Sequence, residues 1–124
     1  MCVDTHIELE PDDREVEAAA AMLKLLADPT RLRVLWALLH GEHSVGPLAD
    51  HVGVSQAALS QHLAKLRLAK LVRARRDGNR IYYLADSDHV RRLVEEALFH
   101  ADHVVRGVER HDDEGQAARA ARRA

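Results

Sequence analysis

A chain of 124 residues, with 18 Lys and Arg against 20 Asp and Glu and one Cys, suits a single small domain. Lone Cys2 excludes an internal disulfide and a multi-thiolate metal cage within one chain. The longest apolar runs, such as 34–39, fall far short of the roughly 20 residues that a bilayer demands, so no membrane partner is expected. The acidic N-terminal stretch lacks a basic, apolar leader, and a cytoplasmic protein is expected.

Residues 1–13 are polar, include Pro11, and read as a flexible N-terminal arm. From Arg14, Val16, Ala19, Ala20, Leu23, Leu26 and Ala27 recur at helical spacing, predicting a first helix that stops before Asp28-Pro29. Asp28 then caps a second helix with Pro29 in its first position; Val34, Leu35, Leu38 and Leu39 form its core face, and Gly41 ends it. Ser44 is expected to cap a short helix ending near Val52, and Ser55 a longer one ending near Leu68.

Between those two helices, Ala49, Gly53 and Leu59 stand where a helix-turn-helix needs a small residue, a permissive turn and an apolar anchor. Gln56, Ala57, Ser60, Gln61, Lys65 and Arg67 are left facing outward, short hydrogen-bonding and basic side chains suited to base edges and phosphates; Ser55 and His62 join them as candidate contacts, His62 alternatively as packing. After Lys70 the period changes to two. Leu71 to Arg76 and Arg80 to Leu84 flank Asp77-Gly78-Asn79 and predict a β-hairpin with Asp77 forming the turn. Val72 and Ala74 would face inward and Arg73 and Arg75 outward, with Arg76 and Arg80 near the tip. A helix-turn-helix followed by a basic hairpin is a winged helix, a mainly α, α+β fold.

Charge agrees with that placement. Residues 1–52 carry 4 basic and 10 acidic side chains, residues 53–80 carry 7 and 1, and residues 81–124 carry 7 and 9. A basic block between acidic ends fits a double-stranded DNA partner, because Lys and Arg displace counterions from phosphates; a merely solvated basic face is the alternative.

The last long amphipathic segment holds four of the nine histidines. His89, His100 and His103 are spaced 11 and then 3 apart, and at about 100° per residue they share one helical face. Eleven residues also separate His89 from His100 by roughly 16 Å, too far for one metal ion to bridge. Only two copies running antiparallel would bring His89 beside His100 and His103. Residues 14–111 are thus expected to form the DNA-binding and dimerisation domain, and residues 112–124 a disordered tail. No Gly-rich phosphate loop, Ser-His-Asp arrangement or H-E-x-x-H motif appears, so neither enzyme activity nor a small organic substrate is expected.

The segments Ala27-Asp28-Pro29-Thr30-Arg31-Leu32-Arg33-Val34-Leu35, Leu48-Ala49-Asp50, Ser60-Gln61-His62-Leu63-Ala64-Lys65-Leu66, the Arg-Arg-Asp-Gly wing and Tyr82-Tyr83-Leu84 resemble the ArsR/SmtB family of metal-responsive winged-helix repressors. The resemblance covers roughly 16–103. It implies a homodimer joined through first and last helices, and an operator-binding repressor released by an inducer. The family's thiolate site needs a cysteine pair where this chain has 45–51, and that pair is absent. Its last-helix site has the pattern Asp-x-His with further ligands 11 and 14 residues on, which His89, His100 and His103 match; Ser87 stands in the Asp position, flanked by Asp86 and Asp88. Asp102 and His111 resemble ligands of the nickel- and cobalt-sensing branch.

These donors suit a divalent ion. Four tetrahedral ligands would favour Zn(II), whereas a larger set including Asp102, His111, Cys2 or His6 would favour Ni(II) or Co(II), the preferred expectation. The competing reading is a metal-blind winged-helix regulator, repressor or activator, that answers another signal or a separate metal-binding partner.

Overall fold

Aspartate side chains fix where the first two helices begin. In the computed structural model, which describes the backbone of residues 10–123 and side chains through residue 107 and at residue 120, Asp12 Oδ1 accepts the Glu15 N–H at 2.9 Å and opens α1 (Asp13–Leu26). The helix thus begins one residue before Arg14. Asp28 Oδ1 likewise accepts the Arg31 N–H at 2.9 Å, with Pro29 leading α2 (Pro29–Leu39), as the sequence predicts. The α2 C-cap is His40, one residue before the expected Gly41. Residues 1–9, most of the expected arm, lie outside the described residues.

Two compact units make up the chain, residues 1–86 and 87–124. The core of the first is aliphatic: Val34, Leu35, Leu48, Leu59, Leu63, Leu66 and Val72 are each less than 2% exposed or at that limit. Full burial of one such side chain is worth about 1.5–3 kcal/mol. Little of α1 takes part, since Leu26 alone of its residues is buried and Val16 and Leu23 remain 51% exposed.

The α3 (Val45–Val52) and α4 (Gln56–Leu68) pair forms the expected helix-turn-helix. Gly53 adopts φ +83° and donates its N–H to Ala49 O at 2.8 Å, a left-handed turn that costs glycine no Cβ clash. Ser55 Oγ accepts the Ala58 N–H at 3.1 Å and caps α4. Ala49 and Leu59 are 1% and 0% exposed, as a close helix approach and an anchor require.

Ser44 behaves differently from expectation. It holds the N-cap position of α3 without a side-chain cap bond, and with His43 it forms a two-residue strand β1 (His43–Ser44). The strands β2 (Val72–Asp77) and β3 (Arg80–Ala85) form the expected two-stranded wing hairpin, and β1 adds a third strand on the β3 side, giving an antiparallel sheet in the order β1-β3-β2. The turn is also one residue shorter than expected: Asp77 pairs with Arg80, leaving Gly78-Asn79 as the loop. Only the first loop residue has positive φ, +62° at Gly78, so glycine is the turn former and Asp77 a paired strand residue. At the end of α4, Leu71 N–H donates to Leu66 O at 2.9 Å while Lys70 takes φ +61°, a left-handed helix stop without a glycine.

The second unit is α5 (Asp88–Arg123), 36 residues long. Ser87 starts it: its Oγ accepts the Val90 N–H at 3.4 Å and its carbonyl the Arg91 N–H at 3.2 Å. The backbone of 112–123, expected as a tail, is helical here. Among the described residues no helix is long and apolar enough to cross a membrane.

Candidate nucleic-acid interface and metal-binding face

On α4 the buried residues Leu59, Leu63 and Leu66 define the inner face. Periodicity therefore leaves Gln56, Ala57, Ser60, Gln61, Lys65 and Arg67 exposed, with Ser55 at the cap; His62 is half-buried. His62 lies close enough to Asp28 for its imidazole to help hold that carboxylate below its ordinary value, after the larger effects of the Arg31 N–H and the Arg31 charge.

Along β2, Val72 is buried and Ala74 half-buried while Arg73 and Arg75 are exposed, the predicted arginine face. Arg76 and Arg80 are exposed near the tip. Arg75, however, already has a partner. Its Nη2 lies 2.6 Å from Glu42 Oε2, and its Nε donates to Glu42 Oε1 and Oε2 at 3.1 and 3.2 Å. The guanidinium also sits 5.0 Å from the ring centroid of Tyr82, its cross-strand neighbour. Hydrogen bonding to Arg75 lowers the Glu42 pKa, and the same contact raises that of Arg75. Glu42 and Arg75 are 33 residues apart, so no local spacing announces the pair.

A shallow groove of about 460 Å³ runs between α4 and β3, lined by Ser60, Ala64, Arg67, Leu68, Lys70 and Tyr83 among others. Lys70 adds a cation here beyond the candidate contacts expected from the sequence. Its position at the left-handed helix stop, not its spacing in α4, brings it there.

On α5, His89, His100 and His103 are all exposed, and Asp88 and Asp102 with them. His103 stacks edge-on against Phe99 with ring centroids 4.8 Å apart. Asp102 Oδ1 accepts from Arg106 Nε at 2.9 Å. Asp86 precedes the helix, its N–H donating to Leu71 O at 3.1 Å. The side chain of His111 lies outside the described residues. Among the described residues no three His, Cys, Asp or Glu side chains of one chain come together to hold a metal ion. The donor types fit a divalent transition metal, but the described residues of one chain do not assemble them.

Comparison with known proteins decides the family. Residues 28–74 match the model of the bacterial regulatory protein, arsR family. The chain is 47% identical over 111 residues to the HTH-type transcriptional regulator KmtR of Mycobacterium tuberculosis, covering 90% of this chain and 85% of that one. It belongs to the ArsR family. Another relative, the transcriptional activator HlyU of Vibrio cholerae, is 37% identical over 89 residues, 72% of this chain and 82% of its own. Among solved structures, the homodimeric winged helix-turn-helix DNA-binding domain Mb0332 of Mycobacterium bovis superposes with a TM-score of 0.68 at 33% identity, covering 77% of this chain and 91% of that one. This ArsR-family chain is thus a winged-helix transcriptional regulator, not an enzyme.

Proposed function

We propose that this chain is a homodimeric repressor whose hold on double-stranded operator DNA is weakened by a divalent transition metal, Ni(II) or Co(II) in preference to Zn(II). The observation that carries the reading is the exposure of His89, His100 and His103 along one face of α5. Those imidazoles would hold the ion, with Asp86, Asp88, Asp102 or His111 completing the set. Such an ion, when bound, supplies coordination to imidazole nitrogen and carboxylate oxygen. Because about 16 Å of helix separates His89 from His100, one chain alone does not complete the set. A second copy is the simplest complement. Half-exposed Val16 and Leu23 on α1, and exposed Phe99, Val104 and Val105 on α5, offer apolar surface for it.

DNA is read by α4 in this proposal. Gln56, Ala57, Ser60 and Gln61 face base edges, and Lys65, Arg67, Arg73, Arg75, Arg76 and Arg80 face phosphates. Coupling between the two ligands is reciprocal, so the dimer arrangement that favours the imidazole set disfavours the operator by the same factor. Metal titration of the purified protein tests the site. The wild type should bind Ni(II), Co(II) or Zn(II) stoichiometrically and a His89→Ala, His103→Ala variant should not; equal binding by both would remove these histidines from the site.

A second reading has its own observations. Ser87 occupies the position where the resemblance calls for Asp and is engaged as the α5 cap, and Asp102 is paired with Arg106. Together with the likeness to an activator, these favour a metal-blind regulator answering another signal or a separate metal-binding partner. Absence of metal binding in the same titration would select it.

A further inference from the structure

The wing's shortest ion pair runs across the sheet, from Arg75 on β2 to Glu42 beside β1. Ser44, Tyr82 and Arg75 form one cross-strand row, since β1 pairs Ser44 with Tyr82 and β2 pairs Arg75 with Tyr82. Glu42, two residues before Ser44, falls on the same side by the period of two. Its carboxylate reaches over the Tyr82 strand and takes the guanidinium in a forked contact, with Nη2 to Oε2 at 2.6 Å. Asp77 Oδ2 stands 4.0 Å from Nη1. Both partners remain solvent-accessible, with side-chain exposures of 50% for Arg75 and 37% for Glu42.

A carboxylate and a DNA phosphate each present two oxygen acceptors that a guanidinium can take in a bidentate contact. The geometry points to Glu42 as an intramolecular competitor for the phosphate that Arg75 would contact: the carboxylate holds the wing arginine in the free protein and must be given up when DNA is engaged. Glu42 thereby lowers wing affinity for every DNA sequence and pre-aims the guanidinium along the sheet. The inference rests on the DNA-binding reading above.

Fluorescence anisotropy with a labelled duplex of random sequence, over a range of salt concentrations, tests it on the full chain in four forms: wild type, Glu42→Gln, Arg75→Ala and the double variant. Competition predicts that Glu42→Gln binds up to about fivefold tighter at low salt. Its dependence of log affinity on log salt should steepen by up to about 0.9, the equivalent of one more phosphate contact. In the Arg75→Ala background the same Glu42→Gln change should do nothing. If Glu42→Gln weakens binding, the carboxylate is a support for the wing and the inference is overturned. Equal tightening with and without Arg75 would make Glu42 a general repulsive charge, which also overturns it. Wild-type protein without salt-dependent affinity for any duplex would overturn the DNA-binding reading itself, and the inference with it.

Discussion

Ser87 Oγ accepts the Val90 N–H at 3.4 Å and so caps the helix that carries the three candidate metal-binding imidazoles. Asp is as good a cap as Ser, and Ala is not. Ser87→Ala should therefore destabilise the protein by about 1 kcal/mol, while Ser87→Asp should keep the cap and add a carboxylate two residues before His89. Under the metal reading Ser87→Asp tightens metal binding with an unchanged melting temperature. Calorimetric titration with Ni(II) and a thermal melt on each variant check the two effects separately.

Asp28 is the cap of α2 and its carboxylate is held below the ordinary value of 3.8, chiefly by the Arg31 N–H, then by the Arg31 charge and His62, against an opposing effect of desolvation. A depressed carboxyl stabilises the folded state fully above its unfolded pKa and loses that contribution as pH falls through the folded value. Asp28→Asn keeps a good cap but cannot ionise. The variant should be less stable than wild type near neutral pH, with the difference shrinking as pH drops below about 4. Urea unfolding across that range measures it.

Two left-handed residues should respond in opposite directions. Lys70 at φ +61° carries the steric cost of a Cβ in that region, so Lys70→Gly should stabilise by about 0.5–1 kcal/mol, or a few degrees in Tm. Gly53 at φ +83° has open space where a Cβ would go, leaving backbone strain as the sole penalty for Gly53→Ala, about 1–2 kcal/mol. Differential scanning calorimetry distinguishes them.

Readout and anchoring should separate on DNA. Gln61→Ala should lower discrimination at one base pair by about 1–3 kcal/mol while affinity for random duplex changes little. Arg73→Ala should weaken all sequences alike and reduce the salt slope by about 0.9. Competition binding with matched and mismatched duplexes provides both numbers.

Those elements whose causes are local were legible from the chain alone. Asp28-Pro29, Gly53 and Ser55 act on atoms three or four residues away, and the apolar period of α4 set its inner and outer faces. Causes that span strands or lack a marker residue were not. The two-residue β1 is too short to show a period and exists because β3 pairs with it. Lys70 performs a turn usually announced by glycine, and the Asp-Gly pair made the hairpin loop read one residue too long, because Asp77 joins the strand and Gly78 alone needs positive φ. Glu42 meets Arg75 across 33 residues through the sheet register. The shared helical face of His89, His100 and His103 on α5 followed from their spacing.

Operator affinity with and without metal tests the central claim most directly. DNA selected by the protein from a random-sequence pool, titrated in the presence of Ni(II), Co(II) or Zn(II), should show a fall in affinity of about 5- to 150-fold with at least one ion. The fall should vanish in His89→Ala, His103→Ala protein that still binds the same DNA. Unchanged affinity with all three ions would contradict metal-linked release and leave a metal-blind regulator on the same winged-helix frame.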